Sequence, residues 1–239
     1  MQIEPARRVR RPRTTGFAVL ALVGLAWGGP AIAAPPEDPA ARLVAAYPEH
    51  LSHGEAGEVV WRDGTRMRLD DGLGVKRFAD WLARPDIADM LQQPYPGPPG
   101  AAITAPAREQ DPGRARNKAF FDRMYGDCRS GKVAQSLVEI VWLPRIAPQT
   151  LKVTRINGVA GRLEAISREL EALPAALHAY LTPSAGSYVC RAVAGTQSPS
   201  AHGWGIAIDI AVARADYWRW AKPGPDGAAA WRNRIPAEI

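Results

Sequence analysis

Alternation of hydrophobic and polar residues predicts a mainly antiparallel sheet in the second half of the chain. Residues 136–143 place an apolar side chain at every second position, which is typical of a strand with one buried face. Residues 150–156 follow across a proline-bounded turn and predict its antiparallel partner. The same criterion predicts two further strands, at 187–193 and 206–210.

Helical spacing and turn signals predict the elements around this sheet. Residues 59–61 and 67–69 flank an Asp-Gly turn and predict a hairpin. Residues 78–82 predict a short amphipathic helix before Pro85. A longer helix is predicted over 162–173, where apolar residues recur at intervals of three and four, at Leu163, Ile166, Leu170 and Leu173. The fold class that follows is α+β, a small mixed sheet with flanking helices.

The first 33 residues have the pattern of a secretory signal peptide. Basic residues precede an apolar run at 17–27, and a small-residue site precedes Ala34. The run is about half as long as a bilayer span requires, so we expect no permanent membrane anchor. The pattern predicts cleavage near Ala33 or Ala34 and an exported protein, periplasmic or secreted.

Net charge gives little support to a nucleic-acid partner. The formal charge is +6 over 239 residues, but residues 1–33 carry five arginines and one acid. Without them the chain carries only about +2, which makes no electrostatic case for binding DNA or RNA.

Composition divides the rest of the chain in two. Residues 34–117 predict an N-terminal lead-in and a proline-rich region, with a flexible stretch at 34–41 and an extended loop at 92–113. The more regular part, residues 118–239, predicts the domain that carries chemistry.

Two cysteines, Cys128 and Cys190, remain after the signal. In an exported protein such a pair favours a disulfide, which would stabilise the fold by roughly 4 kcal/mol through loop closure. Two separately buried thiols are the alternative.

The segment 200–210 contains a candidate metal site. Asp209 lies in an apolar strand-like run, where a carboxylate needs a cation, hydrogen bonds or water. His202 precedes it by seven positions, so neither a straight strand nor a helix brings the two side chains together. A bend would do so, and Gly203 and Gly205 are the residues that permit one. The alternative is a loop histidine and a strand-end carboxylate.

The wider pattern Ser-x-His-x-x-Gly-x-Ala-x-Asp resembles the zinc-binding signature of the VanY-type D-alanyl-D-alanine carboxypeptidase family. The matching positions are Ser200, His202, Gly205, Ala207 and Asp209. The upstream stretch 187–196 resembles a periplasmic branch of this family. The resemblance implies a zinc peptidase domain, with His202 and Asp209 as two of three zinc ligands and Arg191 as a candidate substrate anchor. It also implies peptidoglycan peptides as substrates, cut by a D-Ala-D-Ala carboxypeptidase or an L-Ala-D-Glu endopeptidase.

One departure from the family pattern shapes the expectation of activity. Family members carry an acidic residue and a third ligand, a histidine, on a later strand, but no histidine follows His202 here. We therefore expect a domain truncated at its C-terminus, lacking the third ligand and the catalytic acid. His50, His53 and His178 are not expected to substitute, and Glu238 is expected to be a solvated residue. A noncatalytic peptidoglycan-binding protein with an incomplete metal site is the alternative function.

An aromatic cluster near the C-terminus has two interpretations. Packing in the core is favoured over a glycan-stacking surface for Tyr217, Trp218, Trp220 and Trp231.

Overall fold

The computed structural model describes residues 38–93, 113–217, 221–225, 230–231 and 233–239. It contains five α-helices and five strands within these residues. The helices are α1 (Pro39–Ala46), α2 (Phe78–Ala83), α3 (Ile87–Leu91), α4 (Lys118–Tyr125) and α5 (Val159–Glu171). The strands are β1 (Leu51–Glu55), β2 (Glu58–Trp61), β3 (Arg66–Arg68), β4 (Leu137–Trp142) and β5 (Gln149–Thr154). Both sheets are antiparallel, and the predicted α+β class is confirmed. The predicted signal and most of the proline-rich region lie outside the described residues.

The first sheet has the order β1-β2-β3 and contains the predicted hairpin, in which Val60 pairs with Arg66. The expectation of a flexible stretch through residue 41 is wrong at its end, since α1 begins at Pro39. Asp38 caps this helix by accepting a hydrogen bond from the Ala41 amide at 2.9 Å. A carboxylate cap followed by proline in the first turn is a strong helix start.

The second sheet is the predicted pairing of β4 with β5, with Ile140 opposite Leu151. Leu163 and Leu170 of α5 pack against this pair. Ile166, predicted to face the core, is 47% exposed. Ser167 is buried in its place, because its hydroxyl accepts the Leu143 amide at 2.7 Å.

The two further strands predicted from alternation, at 187–193 and 206–210, are wrong as strands. Both segments are largely extended, but within the described residues they make only isolated pairings, Gly186 with Asp209 and Ala192 with Pro199. Their backbone groups bond instead to nearby loops, as when the Val193 amide donates to Ser198 at 2.9 Å. Alternation reports which face of an extended chain is apolar, and pairing requires a neighbouring strand as well.

The first hydrophobic core contains residues from the N-terminal region, 34–117, and from the region 118–239. Trp61 from β2, Phe120 from α4 and Trp204 are all buried in it. Trp204 stacks on Phe121 at 4.8 Å between ring centroids, and its indole N–H donates to Asp122 at 2.9 Å. The segment around residue 204 is therefore packed directly onto α4.

The predicted disulfide is present. Cys128 and Cys190, 62 positions apart, are joined with 5.6 Å between their Cα atoms. The bond ties the short 3₁₀ helix Cys128–Ser130 to the extended segment that precedes the candidate site. No helix among the described residues is long and apolar enough to cross a membrane.

Candidate metal centre

His202 lies on a short 3₁₀ helix, Ala201–Trp204, and is 9% exposed. Its Nδ1 lies 2.5 Å from the carbonyl oxygen of Ser187. Because a carbonyl only accepts hydrogen bonds, Nδ1 is the donor in this contact, and Nε2 is the ring nitrogen left for a metal. Metal-binding histidines are typically held in this way by a carbonyl or carboxylate behind the ring.

Nε2 of His202 faces Asp209, whose Oδ2 lies 3.4 Å away. The backbone of Asp209 is fixed, since its amide donates to Gly186 at 3.0 Å and its carbonyl accepts from Ala185 at 2.9 Å. The Asp209 side chain is 46% exposed. Of the two candidate ligand groups, the His202 imidazole is thus buried and the Asp209 carboxylate is exposed to solvent.

The predicted bend is made by Gly205. Its φ of 71° lies in the left-handed region that favours glycine. Gly203 does not have a positive φ, and a Cβ atom added there would make an ordinary contact with Cys128 Sγ at 3.4 Å. Of the two glycines expected to permit the bend, Gly205 is the one with the backbone angle that requires glycine.

The two ligand atoms fit a zinc ion. Zinc binds imidazole nitrogen at about 2.0–2.1 Å and carboxylate oxygen at about 2.0–2.2 Å, so two such ligands at a tetrahedral angle lie about 3.3–3.5 Å apart. The observed separation of 3.4 Å falls in this range. Nitrogen from histidine and oxygen from aspartate are also a donor set that zinc accepts.

Within the described residues, no third histidine, cysteine or acid joins this pair. The one group of three that these residues contain is Asp70, Asp71 and Asp86. The Lys76 ammonium lies 2.7 Å from Asp71 and 2.9 Å from Asp86, so a cation of the protein already neutralises that group. The Lys76 side chain is only 5% exposed, whereas Asp70 and Asp71 are exposed, so the group is a surface ion-pair network around a buried lysine.

The other histidines are placed elsewhere. His178 Nε2 lies 2.9 Å from the Leu173 carbonyl, His53 Nε2 lies 3.7 Å from Glu55, and His50 lines a separate pocket beside Trp61. Glu238 is exposed, as expected.

A cleft of about 670 Å³ opens beside Asp209. Val212 and Trp231 give it apolar surface, and Arg234 and Asp216 line it as an ion pair, with Nε to Oδ2 at 2.5 Å. The Arg234 guanidinium lowers the pKa of Asp216. A peptide in this cleft would lie next to the solvent-facing ligand.

The comparisons with known proteins bear on this same stretch. Residues 194–238 match the model of a family described as D-alanyl-D-alanine carboxypeptidase. The predicted family resemblance is confirmed. The match includes His202, Asp209 and the residues of the cleft, and it supports a peptidase-like character for this part of the chain. Comparisons with curated proteins and with solved structures gave no match.

Arg191 lies three positions before the range that matches the carboxypeptidase family. It is exposed, and its carbonyl accepts the amide of buried Ser200 at 3.0 Å. Among the described residues that line the cleft beside Asp209, the arginine is Arg234. The role of Arg191 as a substrate anchor therefore stays a prediction.

The expected core packing of the aromatic cluster is wrong for Tyr217, which is 44% exposed. Tyr217 and Trp231 both line the cleft. The Trp231 side chain is held there by a 2.7 Å hydrogen bond from its indole N–H to the Asp216 carbonyl. Trp218 and Trp220 lie outside the described residues.

Sequence reasoning missed the part that Ser187 plays. This residue is 6% exposed, its hydroxyl accepts the Lys152 amide of β5 at 3.0 Å, and its carbonyl holds His202. The group that holds His202 is a backbone carbonyl 15 positions away, so no residue type in the sequence could have marked it.

Proposed function

We propose that His202 and Asp209 hold the zinc ion of an exported peptidase that acts on peptidoglycan stem peptides. The reaction would be that of a D-Ala-D-Ala carboxypeptidase or an L-Ala-D-Glu endopeptidase. The observation that carries the proposal is the His202 ring, which is held at Nδ1 and directs Nε2 to within 3.4 Å of Asp209. The carboxypeptidase-family match over the same residues supports it.

The residues divide the work between metal and peptide. When bound, zinc supplies a Lewis acid and a water molecule of lowered pKa. His202 and Asp209 are its ligands, and Ser187 keeps the imidazole in the tautomer that a metal requires. The cleft beside Asp209 would receive the peptide, and Arg191 would hold a carbonyl or carboxylate of the substrate.

The metal assignment is tested by zinc content. We expect wild-type protein to bind zinc at equilibrium with a buffered free zinc concentration. The affinity should be weak, because two protein ligands hold the ion less tightly than three. His202→Ala and Asp209→Ala should each abolish this binding. His178→Ala is the matched control, since His178 is bonded to Leu173 and should leave the zinc content unchanged. Equal zinc content in wild type and His202→Ala would refute the assignment.

Activity is tested separately from metal binding. A catalytic zinc site has three protein ligands, so the assay uses the protein encoded by the whole gene, with any residues that follow Ile239 included. Incubation with purified muropeptides should release D-alanine or split the Ala-Glu bond, as read by mass spectrometry. His202→Ala should abolish product formation, and Arg191→Gln should raise KM more than it lowers kcat.

A second candidate is a noncatalytic peptidoglycan-binding protein that retains an incomplete metal site. It is favoured by the finding that the described residues bring two ligands together and no third. Sedimentation with peptidoglycan sacculi, without hydrolysis and without stoichiometric zinc, would support it.

Export is proposed from the sequence pattern of residues 1–33. N-terminal sequencing of protein recovered outside the cytoplasm should begin at or next to Ala34. An intact N-terminus in that fraction would contradict cleavage.

A further inference from the structure

The segment that holds the back of His202 has little secondary structure of its own. Residues 187–193 form no strand, and Val189 is 48% exposed. Their backbone hydrogen bonds run to the segment that carries His202, since the Val189 amide donates to His202 and the Val193 amide donates to Ser198. Ser187 is held to β5 by the Lys152 amide. The two segments thus hold each other, and the position of the pair depends on what ties it to the rest of the fold.

The disulfide provides one such tie. Cys190 lies three positions after Ser187, and its partner Cys128 is anchored just beyond α4, whose Phe120 and Met124 are in the core. Cys128 also packs against this core. The covalent bond thus ties the segment that carries Ser187 to the first hydrophobic core.

The disulfide also contacts the metal segment from behind. A Cβ atom added to buried Gly203, the residue after His202, would lie 3.4 Å from Cys128 Sγ, so the sulfur lies close to this backbone. The Val189 amide donates to the His202 carbonyl at 3.3 Å. The sulfur atoms therefore lie where the segment carrying the Ser187 carbonyl and the segment carrying the His202 ring run side by side.

We propose that Cys128 and Cys190 are positioning residues for the metal centre. Together with Ser187 they form a clamp that presents Nε2 of His202 to the ion in one orientation. The inference rests on the proposed function, because it takes His202 as a metal ligand. Loss of a partner behind a metal-bound histidine typically weakens metal binding 10- to 100-fold. We expect a change of this size when the disulfide is removed.

The test is a Cys128→Ser/Cys190→Ser double variant, in which no free thiol remains to bind zinc. Zinc affinity is measured by competition with a chromophoric chelator. The position of the His202 ring is read on metal-free protein from nuclear Overhauser effects between its carbon-bound protons and those of residues 187–189, a measurement that needs no catalysis. We expect a zinc Kd about 10- to 100-fold higher and weaker contacts between the ring and these residues. A zinc Kd within about twofold of wild type in the folded variant would overturn the proposal.

A second variant distinguishes a specific effect on zinc binding from a general loss of stability. Ile87→Val removes one methyl group from the first core at α3, where Ile87 is 1% exposed and the neighbouring Ala88 amide donates to Leu69. It should lower the melting temperature but leave the zinc Kd within about twofold of wild type. Equal weakening of zinc binding in Ile87→Val would assign the effect to stability and overturn the proposal.

Two further comparisons complete the experiment. If the double variant does not fold, wild-type protein reduced by a phosphine in its folded state and then alkylated takes its place in the same titration. His202→Ala with an intact disulfide distinguishes the two proposals. Retained zinc in His202→Ala contradicts the proposed function, whereas loss of zinc there with full affinity in the double variant contradicts only the clamp.

Discussion

Gly205 offers a sharp test of how the metal segment is built. Its φ is 71°, and its carbonyl accepts the Thr154 amide at the end of β5 at 3.0 Å. A Cβ atom at this position would lie 2.8 Å from Leu137 Cδ2 and 3.0 Å from the Thr154 nitrogen. Neither the backbone angle nor the available space accepts alanine. Gly205→Ala should therefore push the segment away from β4 and β5.

The magnitude follows from these two effects. A left-handed conformation costs a non-glycine residue about 1–2 kcal/mol, and overpacking a filled site costs about 1–3 kcal/mol. Their sum lowers the free energy of unfolding by roughly 2–5 kcal/mol. For a domain of this size, each kcal/mol shifts the melting temperature by about 2–4 °C. Zinc affinity should fall as well, because His202 and Asp209 lie on opposite sides of the turn.

The matched control is Gly203→Ala, two positions earlier. A Cβ there meets Cys128 Sγ at 3.4 Å, an ordinary contact, so the change in stability should stay within about 1 kcal/mol. The assay is urea unfolding of the metal-free proteins followed by circular dichroism. Wild-type stability in Gly205→Ala, or an equal loss in Gly203→Ala, would refute the account of the turn.

Three other predictions concern buried polar groups away from the metal. Lys76→Met should destabilise the fold by about 3–5 kcal/mol in urea unfolding, because Asp86 and Asp89 would lose the ammonium that lies 2.9 and 2.5 Å from them. Burial opposes ionisation of Asp86, but the Asp89 amide and Lys76 outweigh it and lower its pKa below 3.8. The stability from Asp86 is therefore fully present above pH 3.8 and lost as the pH falls through the lower folded value. A pH series of unfolding curves should show a larger loss in acid for wild type than for Asp86→Asn, which keeps other carboxyls of lowered pKa such as Asp71 and Asp80. Ser167→Ala leaves the buried Leu143 amide without its 2.7 Å acceptor and should cost about 1–3 kcal/mol by thermal unfolding.

Features with local causes could be predicted from the sequence. The β2–β3 hairpin follows from an Asp-Gly turn between apolar runs, and the β4–β5 pair follows from alternation on both sides of a short connection. The proximity of His202 to Asp209 was also accessible, because the glycine that makes the bend lies between them. In each case the information lies in one short stretch of chain, the longest running from Leu137 to Thr154.

Features that depend on distant partners could not be predicted. Residues 206–210 alternate as a strand does, yet whether they join a ladder depends on what lies beside them in space. Ser187 orients His202 through its carbonyl, a group that every residue carries, so no residue type marks the role. Ile166 is exposed because the buried face of α5 is rotated toward Ser167, whose hydroxyl serves the backbone of another element.

The hydrogen bonds that hold the metal segment also imply an order of assembly. Most of the described hydrogen bonds that fix residues 202–211 against the rest of the fold come from groups earlier in the chain, among them Asp122, Thr154, Tyr180, Gly186 and Ser187. Ile239 is a later residue that packs against the same core as Ile208 and Ile210. A chain that emerges from its N-terminus can therefore complete both sheets and α4 before His202 and Asp209 have emerged. The disulfide, too, can close as soon as Cys190 is available. Zinc would then enter last, onto a framework already built and oxidised, so supply of the metal during early folding should have no influence on the yield of native protein.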